Sequence, residues 1–276
     1  MTRTSLFSVS VLALALCGCV GTPAAYEAAA VRAEPAHKGY LTASQLQALS
    51  DVVPPPPAAD SAQYAADRAL SDSYRVLENT DRWLLAASHA EVRVPFVLQH
   101  FDCTLGVRYD PASGATPATS RLMQRLFEDA EGASTLVKLR AHRPRPVGDD
   151  ASRAACQTVS AAGRASPSYP SGTASVAAAF GAAMAQIAPE HAEQAIKTGQ
   201  EIGFSRALCG MHYPTDVRVG LSLGEAVFAE AMKTPEFARD LEQARAEYAA
   251  LKASGQTNPG CAAERAALSQ SANLSL

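Results

Sequence analysis

The sequence predicts an all-α fold, and two observations point that way. Alanine is the most frequent residue while aromatic residues make up 6% of the chain, a balance that favours packed helices over β-sandwiches. Apolar residues recur at three- and four-residue steps through most of the sequence, the period of a helix with one buried face. With 276 residues, 47% of them hydrophobic and 18% charged, the chain can bury a sizeable core as one large domain or two small ones. A formal charge of −3 gives no general attraction to nucleic acid, so anion binding has to come from a local cluster of cations.

The N-terminus reads as an address. Arg3 precedes the apolar run Leu6 to Leu16, the layout of an export signal and too short to span a bilayer. "LCGC" (Leu16 to Cys19) resembles a bacterial lipoprotein box, which makes residues 1–18 the signal and Cys19 the lipidated first residue. Ordinary cleavage among the alanines from Ala24 to Ala30 is the alternative. Export implies a periplasmic protein anchored to the outer membrane. In that oxidising compartment four cysteines remain, Cys103, Cys156, Cys209 and Cys261. They allow three pairings, and none has the short spacing of a zinc site, so two disulfides are expected.

Residues 19–50 read as a tether, and "VVPPPPAADS" (Val52 to Ser61) as a stiff polyproline stretch leading to Asp60 or Ser61 as a helix cap. Residues 62–89 carry Tyr64, Leu70, Tyr74, Leu77, Leu84 and Leu85, predicting two helices broken near Asn79 and Thr80. Val92 to Gly114 is rich in turn formers and reads as a loop region with a short strand. Ser120 to Arg140 returns to helix and must end near "HRPRP", where Pro144 and Pro146 oppose its continuation. A small-residue loop spans Gly148 to Ser168, and four more helices follow: Thr173 to Ile187, Glu190 to Leu208, Tyr213 to Met232 and Pro235 to Lys252. Residues 174–188, between two prolines, suit a buried core helix better than a membrane span. The domain thus covers residues 51–253, with a disordered tail over 254–276 apart from Cys261.

Three islands carry chemistry. "KLRAHRPRP" (Lys138 to Pro146) places five cations in nine residues where a helix ends; alone, it would be a solvated basic turn. "YPSGT" (Tyr169 to Thr173) is a tight turn into a helix, whose Ser171, Gly172 and Thr173 backbone N–H groups suit a phosphate or simply a cap. "SRALCGMHYPTD" (Ser205 to Asp216) places His212 and Asp216 four apart, where a shared helical face would let the carboxylate orient the ring. Pro214 fits the first turn of the helix that follows.

Together the islands resemble the signature of the type 2 phosphatidic acid phosphatase superfamily: Lys, six residues, Arg-Pro; Pro-Ser-Gly-His; Ser-Arg, five residues, His, three residues, Asp. Lys138 and Arg145-Pro146 match the first part; Ser205-Arg206, His212 and Asp216 match the third. "LVKLRAHRPRP" and "GFSRALCGMHYPTDV" look most like the bacterial class A non-specific acid phosphatases, and the likeness covers roughly residues 50–250. The resemblance implies a single-domain helical bundle of the acid phosphatase and vanadium haloperoxidase type, acting without cofactor or metal. It implies that Lys138, Arg145 and Arg206, with backbone N–H groups around Ser171 and Gly172, hold the phosphoryl oxygens. His212 would become a phosphohistidine, oriented by Asp216. Soluble phosphomonoesters are the implied substrates. Membrane contact is expected only through the lipid anchor, and a homo-oligomer is left open.

The departure is Thr173, where the family has the His that protonates the leaving oxygen. A threonine cannot shuttle protons near neutral pH. Of His89, His100 and His142, His100 and His142 are the candidates to reach in. Without a replacement the enzyme should favour activated aryl esters over alkyl esters. The competing readings are a phosphate-binding lipoprotein with impaired catalysis and a haloperoxidase. A Cys156–Cys209 bridge is expected, since it would tie the loop before the second island to the third.

Overall fold

The computed structural model describes residues 38–276. The export signal, the lipoprotein box and Cys19 lie outside the described residues. Twelve α-helices are found among them: α1 Ala43–Asp51, α2 Ala62–Ser73, α3 Asp81–Ser88, α4 Asp102–Leu105, α5 Pro117–Lys138, α6 Pro146–Asp149, α7 Ala161–Ala165, α8 Gly172–Ile187, α9 Ala192–Leu208, α10 Pro214–Ala231, α11 Pro235–Ser254 and α12 Cys261–Ser269. No strand occurs among the described residues. The fold is all-α.

Helix α8 is the axis of the bundle, packed against α5, α9 and α10. Alanine is its commonest residue and its side chains are nearly all buried, so neighbouring backbones come close. A Cβ on Gly199 would overlap the Ala177 carbonyl, and one on Gly224 the Ser175 carbonyl. Only glycine permits those two approaches. No helix among the described residues is long and apolar enough to cross a membrane. The apolar stretch over 174–188 is therefore core, as the sequence suggested.

Local signals set most boundaries. Ser61 caps α2, its hydroxyl accepting from Tyr64 N–H at 3.1 Å, and Thr80 caps α3 after Asn79 takes a φ of 66°. Pro117, Pro146, Pro214 and Pro235 each open a helix, where their missing N–H costs nothing. The expected strand within Val92 to Gly114 is absent. Phe96–Phe101 instead form a 3₁₀ turn that runs directly into α4, burying Val97, Leu98 and Phe101.

Both ends of the expected domain needed extension. Residues 40–50, expected in the tether, pack against the fold. The Tyr40 and Leu41 N–H groups donate to the buried Asp129 carboxylate at 2.8 and 3.1 Å, and Leu46 joins the core. The tail over 254–276 is ordered rather than loose. Arg82, wholly buried, donates to Ser271 Oγ at 2.9 Å, and Tyr74 Oη donates to the Ser275 carbonyl at 2.5 Å. Two disulfides form, Cys103–Cys261 holding α12 to α4 and Cys156–Cys209 at the end of α9.

Candidate active site

Four chain segments meet at the N-terminus of α8: the end of α5 with the loop after it, the turn before α8, the end of α9, and the start of α10. Hydrogen bonds lace them together. Ser168 N–H donates to the Arg143 carbonyl at 2.7 Å, Val147 N–H to Gly210 at 3.0 Å, and His212 N–H to Arg206 at 3.3 Å. Gly210 turns the chain out of α9 with a φ of 66°, and a Cβ there would lie 2.8 Å from Arg153 Nε. The Cys156–Cys209 disulfide fixes this turn to the loop between α6 and α7.

His212 sits in the turn, buried, just ahead of α10. Its Nδ1 is 2.7 Å from the Ser168 carbonyl oxygen. A carbonyl only accepts, so Nδ1 carries the proton and Nε2 keeps its lone pair. Arg145 Nη1 donates to that Nε2 at 3.0 Å. Burial first, then the charges of Arg145, Lys138 and Arg206, hold the ring pKa well below its ordinary value. The imidazole is neutral, with its free nitrogen facing the cations.

Asp216 is buried and close by, but its carboxylate is not bonded to His212 in the way a shared helical face would give. Helix α10 begins at Pro214, so His212 precedes the helix that carries Asp216. Asp216 Oδ2 accepts from Ser168 Oγ at 2.5 Å and from Tyr213 N–H at 2.8 Å, while Oδ1 accepts from Arg143 Nη1 at 2.7 Å. It therefore orients the ring through Ser168 and the turn. Ser171 departs similarly from expectation. Its N–H donates to the Asp216 carbonyl at 2.9 Å and so is not available to an anion, while its hydroxyl oxygen caps Ala174 N–H at 3.2 Å. Gly172 and Thr173, the first two residues of α8, keep the N–H groups that no helix carbonyl can satisfy.

Three cations converge here with no carboxylate in ion-pair contact among the described residues. Lys138 Nζ donates to the Pro170 carbonyl, and burial pushes its pKa down to about 8. Arg145 donates to Ser166 Oγ at 3.0 Å and to the Met211 and Pro167 carbonyls at 2.8 and 3.2 Å. Arg206 donates to Gln157 Oε1 at 2.8 Å, its Nε buried without a partner. Burial, and then Arg145, lowers the Arg206 pKa to about 10. Such a cluster is costly when empty and suits an oxyanion.

Arg143, unmarked at the sequence level, has the opposite environment. It pairs with Asp216 at 2.7 Å and Asp67 at 2.8 Å and lies over the Tyr213 ring. Burial opposes its charge, but the Asp216 and Asp67 carboxylates outweigh it and its pKa is raised. Its neighbour Asp67 is 76 residues away in sequence, so no local spacing could have shown the pair.

Thr173 lines an open cavity of about 450 Å³ with Glu91, Arg93, Phe127, Glu131 and Gln157. The histidines expected as replacements are elsewhere. His100 lines a different cavity with His89, its Nε2 bonded to the Glu91 carbonyl at 2.9 Å. His142 is exposed.

Residues 127–240, which hold all three islands, match the PAP2 superfamily. A non-specific acid phosphatase of Providencia stuartii is 31% identical over 77% of this chain and 86% of its own length. The chain belongs to the PAP2 superfamily. An acid phosphatase of Zymomonas mobilis is 29% identical over 74% of this chain and 76% of its own length. A non-specific acid phosphatase of Salmonella typhi is 28% identical over 71% and 78%. Among solved structures, a transmembrane PAP2 type phosphatidylglycerolphosphate phosphatase from Bacillus subtilis aligns with a TM-score of 0.45 at 19% identity, covering 68% of this chain and 91% of that one.

Proposed function

We propose that this PAP2 member is an acid phosphatase that hydrolyses soluble phosphomonoesters through a phosphohistidine at His212. The observation that carries this reading is the neutral His212 ring, its Nε2 lone pair beside three cations that have no carboxylate in ion-pair contact among the described residues. The phosphoryl oxygens would lie among Lys138, Arg145, Arg206 and the Gly172 and Thr173 N–H groups. Nε2 attacks phosphorus in line as the ester oxygen leaves. The fixed cations neutralise charge that develops on the equatorial oxygens. Asp216, through Ser168, holds the Nδ1–H tautomer that the attack needs. Water then releases phosphate from the ring. In this reading the leader and Cys19 deliver the enzyme to the periplasm on a lipid anchor.

The test is hydrolysis of an aryl phosphate by the native chain and by His212→Ala. Native turnover should survive EDTA and be blocked by vanadate, and His212→Ala should lose it by several orders of magnitude. Normal turnover in His212→Ala, or loss on chelation with recovery by a divalent ion, would overturn the mechanism. Phosphate binding without any turnover would favour the binding-protein reading.

A further inference from the structure

The nucleophile and clamp leave the proton unaccounted for, since Thr173 cannot release one near neutral pH and neither His100 nor His142 lines its cavity. Two carboxylates do line it, Glu91 and Glu131. Glu91 is engaged: Oε1 accepts from Arg93 N–H at 2.9 Å and Nε at 2.8 Å, and Oε2 pairs with Nη2. The Glu131 carboxylate makes no ion pair with a described residue. Its Oε2 lies 2.7 Å from the point a Cβ on Gly172 would occupy, against the first turn of α8 and beside Thr173. It is seven residues ahead of Lys138 on α5, about two helical turns away on the same face. Its negative charge acts on both Lys138 and Arg145, raising the pKa of each against burial.

We propose that Glu131 is the proton donor and acceptor of this reaction, supplying from α5 what Thr173 cannot supply from α8. The proposal rests on the phosphohistidine reading. In the first step the Nε2–P bond forms and the P–O ester bond breaks. The electron pair goes to the leaving oxygen, which takes the proton of the Glu131 carboxyl. In the second step water attacks phosphorus and gives its proton to the Glu131 carboxylate. The P–N bond breaks with its electrons returning to Nε2, and the cycle closes. The charged groups around Glu131 are Lys138 on its own helix, Arg145 from the loop after α5, and Glu91 and Arg93 across the cavity. Hydrolysis of poor leaving groups therefore depends on this proton. Departure of an acidic phenol needs no such help.

The experiment compares kcat/KM for an alkyl phosphate (glycerol 2-phosphate) and an aryl phosphate (4-nitrophenyl phosphate) across pH, in the native chain, Glu131→Gln and Glu131→Asp. Glu131→Gln should lower alkyl ester hydrolysis by about 10²-fold or more, lower aryl hydrolysis much less, and flatten the alkyl pH profile. Glu131→Asp should keep part of the alkyl activity. Adding Thr173→His to Glu131→Gln should restore it, which also shows that the variant folds. Equal loss for both esters, or an unchanged alkyl-to-aryl ratio, would overturn the role of Glu131. Trapping the phosphoenzyme from the aryl ester separates the two readings. If the native chain forms none, the phosphohistidine fails and this proposal with it. If it forms while the ratio stays fixed, Glu131 alone is rejected.

Discussion

Arg143 and Arg145 leave the same loop two residues apart and are spent differently. Arg143 is buried between Asp67 and Asp216, with its charge answered twice. Arg145 reaches only carbonyls, a hydroxyl and the His212 ring. The first joins α2, the loop and α10 into one frame; in the proposed mechanism the second holds a phosphoryl oxygen. A cation whose buried carboxylates are present cannot be removed without stranding them, whereas one without them favours an anion. The difference separates the scaffold of this site from its working surface.

The comparison breaks most sharply under alanine substitution. Arg143→Ala strands two buried carboxylates and should cost about 3–5 kcal/mol of unfolding free energy, read by urea denaturation. Arg145→Ala relieves repulsion from Lys138 and Arg206, so stability should hold or rise. Its kcat/KM should nevertheless fall by about 10²–10³-fold. A stable Arg143→Ala or an unfolded Arg145→Ala would erase the distinction.

A gentler test uses pH. Burial lowers the Lys138 pKa to about 8, below its ordinary value, so the clamp loses a positive charge as pH rises through that range. Competitive inhibition by inorganic phosphate should weaken there, and Lys138→Arg should move the weakening to higher pH. Inhibition that stays level through pH 8 in the native chain would place Lys138 outside the clamp. The smallest effect is expected from Ser168→Ala. It removes the hydroxyl that bonds Asp216 but keeps the carbonyl that holds His212 Nδ1. Stability should drop by about 1 kcal/mol and turnover by less than Asp216→Asn lowers it. A larger loss of turnover in Ser168→Ala would make the hydroxyl, rather than the carbonyl, the group that holds the ring.

Much of this was legible in the sequence. Helix boundaries followed from apolar spacing and from residues such as Ser61, Thr80 and Pro214, which act on their immediate neighbours. Lys138, Arg145, Arg206 and His212 stood out through spacing, and the structure brings them together. The misses share a cause, contact between distant segments. Nothing near Tyr40 announces that Asp129 will bind its N–H, and nothing near Ser271 announces Arg82. His212 and Asp216 do not share a helical face despite their four-residue spacing, because α10 begins at Pro214, two residues after His212. Glu131 had a usable signal, its two-turn spacing from Lys138 on α5, but an acidic residue on a polar helix face looks like ordinary surface.

The central claim is that His212 attacks through Nε2, because Nδ1 is committed to the Ser168 carbonyl. The direct measurement is a phosphoenzyme quenched in alkali during turnover of an aryl phosphate, with the site of attachment read by mass spectrometry and by phosphorus and nitrogen NMR. Phosphate is expected on Nε2 of His212, with none in His212→Ala. Phosphate on Nδ1, on another side chain, or on no side chain at all during turnover would contradict it.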